Sequence, residues 1–459
     1  MISMRRADRM SRGLVGVALL LGGGVGWASQ QPAWPPDPPF REVRVETRVE
    51  EYARRLRTLY RTAESLAELG DFEEALRYYD EALQLQQQHR DRRGMSFTFM
   101  AIGDTYLFRM GKPEPSLEAY AQALALKREI KDRKGEPEVL HQMAYAYYVM
   151  GRHEEAERLY HQVLELARRV KNRRAEGNAL NGLGNCQLAR GRAQEALAFY
   201  EQALPVRKKA KDERGVANTT YNIGRAYMAL GQTARAIEYF TKALELRRGL
   251  LDVRAEAETH FDLARASAQA NRLDEAVRHF QEAAQLARRT RRPRLEVMAL
   301  YAAGAIELGR ARAEAAIVLL RQALERARGG SDFRREHRLV LTSLGSAYFL
   351  AGKYGEATET YGEGIRAAHA DGDRFLLAEL LLGLGQVQAA QARYRYALAC
   401  YFQAQRLVPE ANASLAQVLE RHIRELREQL GEERFMEIAA EARTHGIGLL
   451  RELTGVERW

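Results

Sequence analysis

The chain repeats its own pattern every 40 residues, and that period constrains the fold more than any other feature. The segments GRHEEAERLYHQVL (151–164), GRAQEALAFYEQAL (191–204), GQTARAIEYFTKAL (231–244) and GKYGEATETYGEGI (352–365) share the same slots. Turn residues stand at Gly70, Gly111, Gly151, Gly191, Gly231, Asn271, Ala311, Gly352 and Ala392, 40 apart except for 41 at the first and seventh steps. Five positions after each turn is a small residue: Ala75, Ser116, Ala156, Ala196, Ala236, Ala276, Ala316, Ala357 and Ala397. Nine positions after stand Tyr79, Tyr120, Tyr160, Tyr200, Phe240, Phe280, Leu320, Tyr361 and Tyr401. Aromatic residues make up 8% of the chain, so eight in nine at one slot is a design and not chance. A fixed period of this length is the mark of a stacked solenoid.

The slots also define the unit. Ala196, Tyr200 and Ala203 are spaced four and three, which puts them on one face of a helix that begins after the turn. Upstream of the turns lie Leu183-Gly184, Ile223-Gly224, Leu344-Gly345 and Leu384-Gly385, whose glycines mark a close contact on a preceding helix. Each unit is therefore helix A, turn, helix B. One unit cannot bury enough apolar surface to fold alone, so neighbours must stack and the ends need caps.

Small residues, an aromatic and a helix-A glycine in this order resemble the tetratricopeptide repeat family, and nine copies match. The family usually has a period of about 34 residues, so the units here are longer by over a helical turn. That length resembles the repeats of kinesin light chain and of some bacterial regulators. HEAT and armadillo repeats have similar periods and lack the Ala-aromatic-Ala order. The resemblance implies an all-α, right-handed superhelical α-solenoid with nine repeats over 41–407. A helical cap over 408–459 completes this reading, its second helix running from Glu432 to His445 and stopping at Gly446. The first repeat opens on a long amphipathic helix through Val45, Val49, Tyr52, Leu56, Leu59, Ala63 and Leu66. Repeat two has one extra residue before Gly111, which predicts a bulge. Repeat seven, with Glu307 and Leu320 at aromatic slots, marks a candidate kink.

The N-terminus is different in kind. Arg5, Arg6, Arg9 and Arg12 precede an apolar run from Gly13 to Ala28. This reads as a secretory signal peptide over 1–28, with a membrane anchor as the alternative. A Pro-rich linker over 29–40 follows, with Pro32, Pro35, Pro36, Pro38 and Pro39. The expected location is outside the cytoplasm. Cys186 and Cys400 lie five repeats apart, too far for a disulfide, and read as small core residues.

No motif for catalysis, phosphate cradling or metal binding is present, so the chain reads as a non-enzyme with no cofactor. His141, His153 and His161 lack metal-ligand spacing. Asn218-Thr219-Thr220 and Asn412-Ala413-Ser414 match a glycosylation pattern, weakly, since both fall in expected helices.

Two surfaces remain. Helix A of repeat four carries Asn178, Asn181 and Asn185, and helix A of repeat five carries Asn218, Asn222 and Arg225. Asn is a poor helix former, so a stripe of it needs a reason. The resemblance implies that helix A lines a concave groove whose polar residues clamp an extended peptide. On that reading Asn181 and Asn185, Tyr221 and Arg225, and Phe261 and Arg265 occupy matching groove positions in repeats four, five and six. The alternative is a hydrated surface.

The second surface is basic. Net charge is +10; taking residues 1–28 away removes four Arg and one Asp and leaves +7. Lys and Arg cluster where one repeat hands over to the next. They include Lys127, Arg128 and Lys134; Arg173 and Arg174; and Arg207 and Arg214. The densest set is Arg288, Arg289, Arg291, Arg292 and Arg294. These form a basic rim, read either as hydrated charges at helix C-termini or as a rail for an anionic polymer or membrane. Export makes nucleic acid a poor candidate. The expected function is a scaffold that binds a protein segment in the groove. Alternatives are the anionic surface and an array that regulates a separate enzyme in trans.

Overall fold

The structure is a computed structural model that describes residues 48–328, 333–408, 413–457 and 459. The leader at 1–28, the Pro-rich stretch at 29–40, Val45 and Asn412 lie outside the described residues. Among those described there are twenty α-helices, one five-residue π-helical segment and no strand. The chain divides into two units. Among the described residues, the unit 1–54 holds the start of helix Arg48–Leu69, and the unit 55–459 holds the rest.

Within the second unit the helices pair as the period predicts, and the unit is an all-α solenoid. Repeat four is typical: helix A is Arg173–Ala189 and helix B is Ala193–Lys209. The aromatic slot is the centre of every unit. Tyr120, Tyr160, Tyr200, Phe240 and Tyr401 are almost wholly buried. Their rings lie flat against the helix-A glycines. A Cβ on Gly184 would overlap the Tyr200 ring, and one on Gly385 would overlap Tyr401. A second glycine, Gly182, meets the ring of Tyr160 from the preceding repeat in the same way. Glycine lets two backbones approach with an aromatic ring between them, which is the close contact the sequence suggested.

All nine turn residues adopt positive φ, including Asn271, Ala311 and Ala392. The Schellman-type bonds that close each helix A need this conformation; Gly191 N donates to Leu188 O and Arg192 N to Gln187 O. A second left-handed turn joins helix B to the next helix A, at Arg90, Lys131, Lys171, Lys211, Leu251, Arg291 and Gly372. The following residue usually caps helix A. Asp91, Asp132, Asn172, Asp212, Asp252 and Asp373 each accept the backbone N–H three residues on.

The irregular repeats resolve individually. The extra residue of repeat two becomes the π-helical segment Thr105–Arg109, in which Met110 N donates to Thr105 O at 3.0 Å. Repeat seven folds from Pro293–Gly309 and Ala313–Ala327. Leu320 fills the aromatic position over Gly304, and buried Glu307 pairs with Arg310 and Arg312. In the opening helix Leu59 and Ala63 are buried, whereas Val49 is exposed.

After repeat nine come helices Ala413–Leu430 and Glu432–Thr454. The second does not stop at Gly446, as the sequence suggested. It continues to Gly455, whose φ is 71°. Burial explains the difference: Leu449 and Leu450 pack into the core of repeats eight and nine, and Arg366 Nη1 donates to Thr454 O at 2.7 Å.

Candidate functional site

The site is built on the face of helix A left uncovered by helix B. Helix A of repeat four puts Asn178, Asn181 and Asn185 there, each half-buried. Helix A of repeat five, Glu213–Ala229, adds Asn218, Tyr221, Asn222 and Arg225. Much of the Asn stripe bridges the two helices. Asn222 is buried and donates its amide to Asn181 Oδ1 and Asn185 Oδ1, both at 3.2 Å. Thr219 donates to Asn181 Oδ1 at 3.1 Å, and Tyr200 donates its phenol to Asn185 Oδ1 at 2.7 Å. These bonds give the stripe a structural reason that a sequence cannot show: polar groups between packed helices must find partners.

Six of the nine predicted residues gather around two separate cavities; Tyr221, Asn222 and Arg225 line neither. The first, of about 270 Å³, is bordered by His141, Asn178, Asn181, Asn185 and Asn218, with Arg174, Arg207 and Arg214. Its carboxylate, Asp212, is committed to Arg207 Nη1 at 2.6 Å and to the backbone of Gly215. The second, of about 610 Å³, is more apolar. Phe261, Met298, Tyr301 and Leu339 line it, with Arg265, Arg294 and Arg335 at its edge. Phe261 packs edge-on against Phe280, with ring centroids 5.3 Å apart.

Between the cavities, Tyr221 donates to Asp262 and lies under the Arg247 guanidinium, 4.2 Å from the ring centroid. Burial and the Asp262 carboxylate raise the Tyr221 pKa, so the phenol stays protonated and donates. Asp262 also holds Arg265, at 3.1 Å. Arg225 is exposed and forms no ion pair among the described residues.

The basic rim is less uniform than its sequence. Arg288 donates to buried Glu296, Arg292 pairs with Glu258 at 2.7 Å, and Arg294 pairs with Glu336 at 2.8 Å. Arg289 and Arg291 form no ion pair among the described residues. Lys127 and Arg207, which the sequence placed on the rim, are buried. The reason lies in the period. They stand four residues beyond Ala123 and Ala203, so they continue the inward stripe. Their partners are Asp132 and Asp212; Asp212 caps its helix A, and Asp132 holds the turn just before its own. Arg247 occupies the same slot in repeat five and donates to Asn218 Oδ1 and Ala255 O. Four other repeats hold Ala there: Ala167, Ala287, Ala327 and Ala368. A cation in a column that four repeats fill with alanine was the available signal.

The histidines and cysteines have structural surroundings. His260, on helix A of repeat six, faces His279 with Nδ1 atoms 3.0 Å apart. Arg248 donates to His260 Nε2 at 3.1 Å, which leaves His260 Nδ1–H to donate to His279. Cys186 and Cys400 are buried free thiols. Burial pushes Cys186 up to about 12 and Cys400 up as well, so neither is a ready nucleophile. Among the described residues no group of three or more His, Cys, Asp or Glu side chains could hold a metal ion. No described helix is long and apolar enough to cross a membrane.

Comparison with known proteins agrees with this geometry. The tetratricopeptide repeat family matches residues 54–129, 136–209 and 215–289. No curated protein matches the chain. Among solved structures, a signal transduction ATPase with a tetratricopeptide repeat sensor, from Pyrococcus horikoshii, is 15% identical, with a TM-score of 0.50. The match covers 77% of this chain and 54% of that one. The apo quorum sensor NprR from B. thuringiensis is 15% identical, over 78% of this chain and 99% of its own, with a TM-score of 0.46. BtubC from P. vanneervenii is 18% identical, over 48% and 92%, with a TM-score of 0.43. At such identities a likeness speaks to fold alone. The repeat slots, the helix pairs and the family match converge on one conclusion: the chain belongs to the tetratricopeptide repeat family.

Proposed function

We propose that the chain is a non-enzymatic adaptor that holds an extended segment of a partner protein along the helix-A face of repeats four to six. The observation that carries this reading is the row of openings on that face. Asn178, Asn181 and Asn218 border one cavity, and Phe261 and Arg265 border the next. Asn side chains can donate and accept at once, which suits a peptide main chain. The aromatic cavity suits an apolar side chain of the same segment. Chemistry is not part of the proposal, since the carboxylates of the face, Asp212 and Asp262, are held in capping and pairing.

The test is capture of partners by the full chain from its native envelope, with and without Asn181→Ala combined with Arg225→Ala. The variant is expected to lose the captured partner; because Asn181 Oδ1 accepts from buried Thr219 and Asn222, its melting temperature is expected to fall as well, so capture is compared at a temperature where both chains are folded. Unchanged capture would refute the assignment. Export belongs to the same proposal and rests on residues 1–28. N-terminal sequencing of protein recovered outside the cytoplasm is expected to begin near residue 29, and a retained Met1 would refute cleavage.

A further inference from the structure

One slot of helix A carries a cation in six successive repeats: Lys134, Arg174, Arg214, Arg254, Arg294 and Arg335. All six are exposed. The slot lies four residues before the one that holds Asn178 and Asn218, so it continues the same helix face. Four of the six border the cavities of that face: Arg174 and Arg214 the smaller, Arg294 and Arg335 the larger. Arg294 pairs with Glu336. The other five form no ion pair among the described residues.

Helix stability does not explain the column. These residues stand in or just before the first turn of helix A, where the helix dipole is positive and a cation is unfavourable. Repetition at the unfavourable end, with Arg294 alone of the six paired to a carboxylate among the described residues, points to an anion supplied from outside. The smaller cavity adds a second and independent observation. Arg207 borders it and is 5% exposed, yet its Nε has no hydrogen-bond partner. His141 Nδ1, also at this cavity, is buried and unpartnered too. A buried donor left unpaired is destabilising, and an oxygen ligand would recover that loss. The cavity is smaller than the roughly 300 Å³ at which pockets begin to suit drug-sized ligands, so it fits a single side chain.

We propose that the partner segment is acidic, with one Asp or Glu carboxylate seated among Arg174, Arg207, Arg214 and Asn178, and further carboxylates meeting the Arg column. This rests on the groove reading and names the chemistry of its occupant. An extended peptide is favoured over a membrane because the cations border recesses and lie in a single file. A bilayer would need them spread over a face.

The test is selection of random 16-residue peptides on the full chain and on two variants, Arg174→Gln/Arg214→Gln and Asn181→Ala/Arg225→Ala. Peptides enriched on the wild type are expected to be rich in Asp and Glu. Their affinity should fall at least tenfold in the Arg174→Gln/Arg214→Gln variant, whose melting temperature stays unchanged because both residues are exposed. Selected peptides without acidic bias that still depend on Asn181 and Arg225 would overturn the acidic partner and leave the groove standing. Peptides indifferent to both pairs, or no enrichment, would overturn both. Binding to phosphatidylserine vesicles that is lost in the Arg174→Gln/Arg214→Gln variant, with no acidic peptide selected, would replace the peptide with a membrane surface.

Discussion

Single residues in this array do work that depends on their slot. Tyr200 is fully buried against Gly184, so Tyr200→Ala should cost about 3–5 kcal/mol, read as a fall in thermal or denaturant stability. A loss below about 1 kcal/mol would place the ring outside the core. Ala392 sits at φ 58°, where a Cβ is strained. Ala392→Gly is expected to stabilise the chain by about 0.5–1 kcal/mol, the strain relieved less the added freedom of the unfolded state. Unchanged or reduced stability would contradict the left-handed turn. His260 supplies a pH dependence. Burial first, then His279 and Arg248, push its pKa down to about 4. The unfolded residue takes a proton near 6.5, so between these values the unfolded state binds more protons, and stability falls as pH drops from 6.5 towards 4. The loss is on the order of 2–3 kcal/mol. Arg248, Glu256 and His279 surround the ring, so His260→Gln should flatten the acid side of the melting curve if His260 is the cause.

At the scale of the helix, legibility followed from whether a residue's role is repeated. Turns with Gly191 or Gly231 were legible because positive φ favours glycine and the period repeats it. The second turn of each unit was not, because Lys171, Lys211 and Arg291 adopt the same φ and read as surface charge. The buried Arg207 escaped for the same reason, while the caps Asp212 and Asp252 would have been visible as Asp before a helix. The Asn stripe was seen, yet its bonds between neighbouring helices join residues about 40 positions apart and leave no local trace. The last helix shows how tertiary burial overrides a local stop: Gly446 offered an end, and Leu449 and Leu450 carried the helix past it. Removing residues 432–459 would uncover the face of helix Tyr394–Leu407 that carries Ala399, which lies against Gly446, and Phe402, which lies beneath Arg443. The truncated chain is expected to melt at lower temperature and to bind a hydrophobic dye; an unchanged melt would show that this helix caps nothing.

As a whole molecule the array is a string of units stabilised by their neighbours. Stability should therefore be uneven along the chain, with repeats four and five, flanked on both sides, slowest to open. Amide exchange of helix Arg173–Ala189 is expected to be slower than that of helix Phe72–Gln88. Uniform exchange would indicate a single cooperative block. Such an array leaves one face of each helix A free, and binding on that face is the central claim. It is tested most directly by placing a photocrosslinking amino acid at Asn178, on helix A, or at exposed Gln202, on helix B, in otherwise identical full chains. In cells the Asn178 position is predicted to capture a partner segment rich in Asp and Glu, and the Gln202 position to capture none. Capture from Gln202 with none from Asn178 would contradict the account.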